Sequence, residues 1–264
     1  MRSLFLKVLS GLAALAFAPM FAVVMFAPGA LAQTPASLQP GLQRGQQPGQ
    51  QPGMINVAEH PSRPVVIELF SSQGCGNCPQ ANANVAGLAK RTDVIAMTYP
   101  VGIWDYLGWS DTLAKPEFTE RQKDYNHSLG YRGPYTPQII FSGRLHASGA
   151  NMKTIENGFA KRPLDPYPLK VAFDGDKVTI TGDYDGKAVV NLVQFRPGMT
   201  TVKPGAGVNQ GKAMEYFNVV TGVKTIGEWS GGVSTFPAKC TAGCTVLVQK
   251  DSPTGNVIGV AQKK

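Results

Sequence analysis

The residues whose types and spacing best fit a chemical task are Cys75 and Cys78, which form the motif Cys-Gly-Asn-Cys. Two thiols separated by two residues are close enough to form and break a disulfide with each other. A short β-branched run, residues 65–70, precedes the motif, and Ala81 and Val85 follow it at helical spacing. At the start of a helix, free backbone N–H groups and the positive end of the dipole favour a thiolate. The motif therefore predicts a redox dithiol in which Cys75 attacks and Cys78 resolves the mixed disulfide.

Other uses of such a motif compete with this interpretation. A structural disulfide is one, and a zinc half-site is another, although the second pair that zinc needs is distant and has a different spacing, at Cys240 and Cys244. Covalent haem attachment is excluded, because it requires a histidine after the second cysteine, where Pro79 stands. The strand–turn–helix context favours the redox dithiol.

The second cysteine pair, Cys240 and Cys244, lies between Pro237 and a β-like run that begins at Thr245. We predict a structural disulfide that pins a loop of a β-rich region. A relay dithiol that exchanges electrons with the first pair, or a soft site for copper(I), are the alternatives. The three histidines are not spaced as ligand pairs, so no metal site is predicted from them: His60, His127 and His146.

The elements that must position the first pair alternate between strands and helices. Hydrophobic patterns predict, in order, a strand, a helix, a strand, a helix, a hairpin and a helix, over residues 65–70, 79–89, 94–97, 116–130, 138–146 and 152–159. This order indicates an α/β domain over residues 62–165. From residue 166 to 264 only short alternating runs remain, separated by Gly-rich turns, and they predict a small antiparallel β-sandwich-like domain. A glycine-rich stretch within it, residues 205–211, lacks the spacing of a phosphate loop and is interpreted as a flexible turn.

The beginning of the chain has the order of a secretory signal peptide over residues 1–32. Arg2 and Lys7 precede an apolar run, and Ala30-Leu31-Ala32 ends it. A retained membrane anchor is the alternative, but Pro28-Gly29 favours cleavage. Residues 33–61 are rich in Gln, Pro and Gly and predict a flexible tether. We therefore expect export, to the periplasm of a Gram-negative-type bacterium, where thiols can be oxidised, and no membrane association after cleavage.

Composition excludes other classes of protein. Hydrophobic residues make up 43% of the chain, which excludes a wholly disordered protein. The net charge is +8, but the basic residues are scattered and form no strip that would follow a phosphate backbone, so nucleic-acid binding is not expected.

Several longer strings resemble a known family. The chain is similar to the secreted thioredoxin-like proteins of domain-of-unknown-function family 1223 in the strings ELFSSQGCGNCP, WDYLGWSDTLAKPEFTERQ, YTPQIIFSGR, EYFNVVTGVKTIGEW and VLVQKDSPTGNVIGVAQ. The resemblance covers almost everything after the tether. It implies a thioredoxin-like fold for residues 62–165 and a disulfide-type site at Cys75 and Cys78.

The resemblance also implies roles for residues outside the motif. Thr136-Pro137 stands where such proteins have a cis-proline loop that binds an extended substrate strand, although an ordinary trans-proline at a strand start is the alternative. Glu68 would be the buried carboxylate that accepts the proton of the resolving thiol, but its distance to Cys75 is one residue longer than usual, and pairing with a lysine or exposure to solvent is equally open. Independently of the resemblance, the aromatic-rich segment 104–109 after the second strand predicts that Trp104 forms a wall beside the dithiol and shapes substrate choice, or that it packs against a helix.

These observations together predict an exported thiol–disulfide oxidoreductase. Its partners would be protein thiols and disulfides and a redox partner protein, and no cofactor is needed because the electrons reside in the sulfur pair. The direction of electron flow stays open for two reasons. Gly74 stands where thioredoxin-like proteins commonly have a tryptophan before the first cysteine, and the Gly-Asn between the cysteines is neither the Gly-Pro of reducing members nor the Pro-His of strong oxidants. The alternative is a soft-metal (copper) or protein-binding module in which both cysteine pairs are structural.

Overall fold

The computed structural model describes residues 63–163 and 165–264, so the predicted signal peptide and tether lie outside the described residues. Within them, the N-terminal half forms four strands, three α-helices and one 3₁₀ turn in the order β1 (Val65–Ser71), α1 (Cys78–Leu88), β2 (Val94–Pro100), the turn Asp105–Leu107, α2 (Pro116–Ser128), β3 (Gln138–Phe141), β4 (Leu145–Ser148) and α3 (Met152–Ala160). The rest of the described chain is built from strands: β5 (Leu169–Asp174), β6 (Lys177–Gly182), β7 (Ala188–Val202), β8 (Met214–Trp229), β9 (Ser234–Pro237), β10 (Gly243–Lys250) and β11 (Val257–Lys263). Within the described ranges, none of the helices meets the length and hydrophobicity that a bilayer-spanning helix requires.

The strands form two sheets. The larger has the order β11-β10-β7-β8-β2-β1-β3-β4, and the smaller has the order β5-β6-β9. β1 pairs parallel with β2 and antiparallel with β3, and β3 pairs antiparallel with β4. β1 is therefore an inner strand, and all seven of its residues are buried.

Helices cover both faces of the N-terminal part of the large sheet. On one face, the apolar residues of α1 and α3 pack on alternate residues of β1, such as Ile67 and Leu69. On the other face, α2 packs through Phe118 and Tyr125 on the intervening residues, such as Phe70. Because successive side chains of a strand point to opposite faces, the position of a residue in β1 decides which helix it meets. This alternation determines the site described below.

The boundary predicted at residues 165/166 does not separate two sheets. β8 lies beside β2 in parallel orientation, with Thr98 opposite Val219, and the Thr98 hydroxyl donates to the Phe217 carbonyl at 2.8 Å. The small sheet packs on the far end of the large one, around Trp229 and Val246. Without β8, the edge of β2 would be an exposed row of unpaired backbone groups. Hydrophobic alternation predicts that a segment is a strand but not which strand it pairs with, which is why the sequence suggested two separate domains.

Candidate active site around Cys75 and Cys78

The two cysteines lie in the turn that joins β1 to α1. The Cys75 backbone N–H donates to the Ser72 carbonyl and the Cys78 N–H donates to the Cys75 carbonyl, both at 3.2 Å. Pro79 stands in the first turn of the helix, where a proline loses no hydrogen bond. Cys75 is 7% exposed and Cys78 is fully buried. No disulfide joins them, and the more accessible thiol is the one predicted to attack.

The two thiols have opposite pKa shifts. The pKa of Cys75 falls from 9.0 to about 6, because hydrogen bonds from the Cys78 thiol, the Thr136 hydroxyl and the backbone N–H groups of Asn77 and Cys78 outweigh the effect of burial. Burial raises the pKa of Cys78 well above its ordinary value, and the neighbouring Cys75 thiolate adds to this shift. At neutral pH, Cys75 therefore carries the negative charge and Cys78 keeps its proton.

The structure brings Thr136, Pro137 and Trp104 to the same place. The Thr136–Pro137 peptide bond is cis, as the resemblance implied. The Trp104 indole N–H donates to the Thr136 hydroxyl at 2.7 Å, and the ring packs in one cluster with both cysteines. A Cβ atom on Gly74 would lie 2.8 Å from the Cβ of Trp104, so only a glycine fits before Cys75. Trp104 thus occupies the space beside the dithiol.

The structure does not place Glu68 with the cysteines. Its carboxylate forms a buried ion pair with Arg121 at 2.8 Å and accepts a hydrogen bond from the Tyr125 hydroxyl. Glu68 and Phe70 point to the α2 face of the sheet, whereas α1, which carries Cys78, packs on the opposite face. The additional residue between Glu68 and the motif therefore turns the side chain to the wrong face. The predicted role as a proton acceptor for Cys78 is wrong, and so is pairing with a lysine or exposure to solvent.

Hydroxyl and amide groups lie beneath the dithiol instead. The backbone N–H of Ser72 donates to the Cys78 sulfur at 3.4 Å. The hydroxyl of Ser71, which is on the α1 face of β1, donates to Asn82 Oδ1 at 2.8 Å. Tyr216 of β8 completes this buried polar cluster. Sequence analysis missed these residues, although two available signals were Ser71-Ser72, which lies three to four residues before Cys75, and Asn82, which lies four residues after Cys78.

The glycine-rich stretch predicted to be a flexible turn packs against the motif. Asn209 is fully buried, and its side-chain amide donates to the carbonyls of Gln73 and Cys75 at 3.0 and 2.8 Å. Val208 is 58% exposed and would lie 3.6 Å from a Cβ atom on Gly76. The loop between β7 and β8 therefore forms part of the site. Its only sequence signal was an asparagine among glycines.

A second set of contacts fixes Gln73, two residues before Cys75. Its backbone N–H donates to Asp111 Oδ2 at 2.7 Å, and its side-chain amide donates to Asp111 Oδ1 at 3.0 Å. The Trp109 indole donates to Gln73 Oε1 at 2.8 Å. Burial raises the pKa of Asp111. These bonds attach the turn to the segment that follows β2, which contains Trp109 and Asp111.

The second cysteine pair lies in another part of the fold. Cys240 and Cys244 are joined by a disulfide, as predicted, and Cys244 is buried with Trp229 between the two sheets. Among residues 63–163 and 165–264, no group of three or more His, Cys, Asp or Glu side chains is arranged to hold a metal ion.

Comparisons with known proteins place this chain in a family. The family described as "Protein of unknown function (DUF1223)" matches residues 66–254. A crystal structure of an Agrobacterium tumefaciens protein from a structural genomics consortium is 36% identical, with a TM-score of 0.63, over 75% of this chain and 92% of that one. A structure titled HBP35 of Porphyromonas gingivalis is 15% identical over 76% of this chain and 75% of that one, with a TM-score of 0.47. A comparison with curated proteins gives no match. The family match over most of the folded part, together with the 36% identity, establishes that the chain belongs to the DUF1223 family.

Proposed function

We propose that this protein is an exported, thioredoxin-like thiol–disulfide oxidoreductase that acts on proteins. The observation that carries the proposal is the asymmetry of the dithiol at the start of α1. Cys75 has a pKa of about 6 and borders the surface, whereas Cys78 is fully buried and protonated within reach of it. An attacking thiolate and a protected resolving thiol are what disulfide exchange requires.

The arrangement of the N-terminal half supports the thioredoxin-like part of the proposal. The order strand, helix, strand, helix, hairpin, helix, which the hydrophobic patterns predict, is the order from β1 to α3. The cis peptide bond between Thr136 and Pro137 immediately precedes β3 beside the dithiol. A substrate segment in extended conformation would pair with the backbone of Thr136, with Trp104 and Val208 bordering it.

The proposed reaction balances without a cofactor. The Cys75 thiolate attacks one sulfur of a substrate disulfide, which breaks the substrate S–S bond and releases one substrate thiolate. Cys78 then attacks the Cys75 sulfur, the mixed disulfide breaks, and the second substrate thiolate leaves. Two electrons pass from the dithiol to the substrate, and a redox partner protein restores the dithiol. The same steps in reverse would oxidise a substrate.

Export belongs to the same proposal and depends on residues 1–32 as a signal peptide. An oxidising compartment keeps the Cys240–Cys244 disulfide intact and supplies protein disulfides as substrates. The site needs no contact with a membrane or with nucleic acid.

A redox titration of the mature protein against glutathione, with alkylation and mass readout at each cysteine, tests the proposal. We expect a reversible two-electron transition at Cys75 and Cys78 between about −120 and −270 mV. Cys75→Ser should abolish exchange without loss of fold, and Cys78→Ser should trap mixed disulfides with substrates. A pair that stays oxidised below about −300 mV would identify a structural disulfide and contradict the proposal.

A second candidate function, binding of a soft metal ion such as copper(I), is favoured by the composition of one buried cluster. Met214 is fully buried in the same cluster as Cys75 and Cys78, and two thiols with a thioether are a soft donor set. Metal analysis of protein purified without chelators tests this function. Stoichiometric copper that is lost when Cys75 is alkylated would support it, and metal-free protein would exclude it.

A further inference from the structure

Cys78 has to lose its proton in a place that water does not reach. The side chain is fully buried, among Tyr216, Met214 and Val219. A charge that forms there is costly unless hydrogen bonds compensate for it. If exchange proceeds as proposed above, the structure must contain groups that stabilise the Cys78 thiolate in the resolving step.

The buried carboxylates are not available for this task. Glu68 lies on the opposite face of the sheet and is paired with Arg121. The carboxylate of Asp111 already accepts hydrogen bonds from Gln73 and from the N–H groups that follow it in the chain. In the described part of the chain, no acidic side chain is hydrogen-bonded to Cys78.

The Ser72 backbone N–H donates to the Cys78 sulfur at 3.4 Å. The Ser71 hydroxyl is the next donor group near this sulfur, where it lowers the pKa of Cys78. In the structure, the Ser71 hydroxyl donates its single proton to Asn82 Oδ1 at 2.8 Å. Asn82 is 1% exposed, and its Nδ2 has no hydrogen-bond partner in the described part of the chain. A buried donor without a partner is costly and requires an explanation.

We propose that Ser71 and Asn82 form a hydrogen-bond switch that stabilises Cys78 as a thiolate. While Cys78 is protonated, Ser71 donates to Asn82 Oδ1, as the structure has it. When the proton leaves, the Ser71 hydroxyl turns to donate to the sulfur. A half-turn of the Asn82 amide exchanges its oxygen and nitrogen without a change of shape, so that Nδ2 donates to the Ser71 oxygen. The unpaired Nδ2 is thus the donor held for the second state.

The step balances without a protein base. The Cys78 sulfur forms a bond to the Cys75 sulfur, and the bond between Cys75 and the substrate sulfur breaks. The electron pair of that bond leaves with the substrate sulfur as a thiolate, and the proton that Cys78 lost before the attack passes to the bulk solvent. The switch stabilises Cys78 while its charge exists and neither keeps nor consumes a proton.

Ellman's reagent separates the two steps, because each releases one coloured thiolate. Attack by Cys75 on the reagent gives the first phase, and attack by Cys78 on the resulting mixed disulfide gives the second. For Ser71→Ala we expect an unchanged first phase and a second phase that is about tenfold slower at neutral pH, the equivalent of one pKa unit. The pH midpoint of the second phase should rise by about one unit. Ser71→Thr retains the hydroxyl and should restore both values.

Two further variants make the test decisive, each with its thermal midpoint recorded to show that it is folded. Asn82→Ala should slow the second phase as Ser71→Ala does. Glu68→Gln removes a carboxylate on the opposite face of the sheet and should leave the second phase and its pH midpoint unchanged. An unchanged second phase in both Ser71→Ala and Asn82→Ala, or a slower one in Glu68→Gln, would overturn the switch alone. The absence of any second phase in the wild-type protein would instead contradict the proposed function.

Discussion

The side-chain amide of Asn209 donates a hydrogen bond to the backbone carbonyl of Cys75 at 2.8 Å, although the two residues are 134 positions apart in the chain. A second bond, to the carbonyl of Gln73 at 3.0 Å, holds the same turn. The position of Cys75 thus depends on a loop in the β-rich half. This contact joins the β-rich half to the turn that carries the two cysteines.

Replacement of Asn209 by alanine should loosen the turn around Cys75. Two buried carbonyls lose their donor, and each unmade bond costs about 1–3 kcal/mol. We expect a lower free energy of unfolding in urea and slower reaction of Cys75 with iodoacetamide. Gln210→Ala changes an exposed neighbour in the same loop and is the matched control. Equal stability of the two variants would contradict this role of Asn209.

The pH dependence of Cys75 alkylation should have its midpoint at about 6, where the pKa of this thiol lies. Thr136→Val removes a hydroxyl that lowers the pKa of Cys75, so the midpoint of alkylation should move upward, whereas Thr136→Ser should retain it.

Because the pKa of Cys75 in the folded protein is lowered from 9.0, the thiolate contributes stability to the reduced protein. This stability is complete above pH 9 and is lost as the pH falls through about 6. Urea unfolding of the reduced protein at several pH values measures this loss. An alkylation midpoint near pH 9 would contradict the lowered pKa of Cys75.

The strand–turn–helix element around Cys75 could be predicted because its signals are local. A β-branched run, two cysteines and a proline that suits a first helical turn lie within fifteen residues, 65–79. The error at Glu68 came from geometry at the scale of one residue, since a single additional position in a strand reverses the face that a side chain meets. The number of residues between Glu68 and Cys75 therefore decides whether the carboxylate can lie near the dithiol, and the presence of an acidic residue in the strand does not.

The contribution of the β-rich half could not be predicted from local patterns. Asn209 and Tyr216 reach the dithiol because β8 lies beside β2, and nothing in the alternation of apolar residues specifies that pairing. The glycines around Asn209 indicate a turn correctly but not what the turn packs on. Long-range contacts of this kind depend on the complete fold.

Gly74→Ala should displace Trp104 from its place beside the dithiol. The new Cβ would lie 2.8 Å from the Trp104 Cβ, too close for either atom to stay. We expect a change in tryptophan fluorescence and weaker binding of an extended peptide disulfide, because the hydrogen bond from Trp104 to Thr136 lengthens or breaks.

Gly87→Ala is the control for Gly74→Ala, since nothing lies within 4 Å of its added Cβ. It should stabilise α1 by about 0.5–1 kcal/mol. Identical fluorescence of Gly74→Ala and the wild-type protein would contradict the contact.

Arg121→Met should destabilise the fold without an effect on the chemistry of Cys75. The guanidinium donates to Glu68, and also to the Tyr125 hydroxyl and the Pro253 carbonyl, at 2.8–3.1 Å. Its loss leaves the buried Glu68 carboxylate without a positively charged partner, which costs about 3–5 kcal/mol. Urea unfolding measures this cost, and alkylation of Cys75 below the transition should be as fast as in the wild type.

Lys123→Met is the matched control for Arg121→Met, because Lys123 and Glu120 form an exposed ion pair on the same helix. Such pairs contribute about 0–1 kcal/mol. If the two variants were equally stable, the Glu68–Arg121 pair would have no special structural role. If Arg121→Met slowed alkylation of Cys75, the separation of this pair from the dithiol would be wrong.

Replacement of Cys240 and Cys244 by serine distinguishes a structural disulfide from a relay dithiol. The bond closes a loop of about five residues, so its removal should cost about 2 kcal/mol by the chain-entropy relation. Cys244 is packed with Trp229, in a different cluster from Cys75, so no electron exchange between the pairs is expected. The double variant should unfold at a lower temperature but show both phases of Ellman's reaction at wild-type rates. Loss of turnover with a protein reductant, while both phases persist, would instead assign the second pair a relay role.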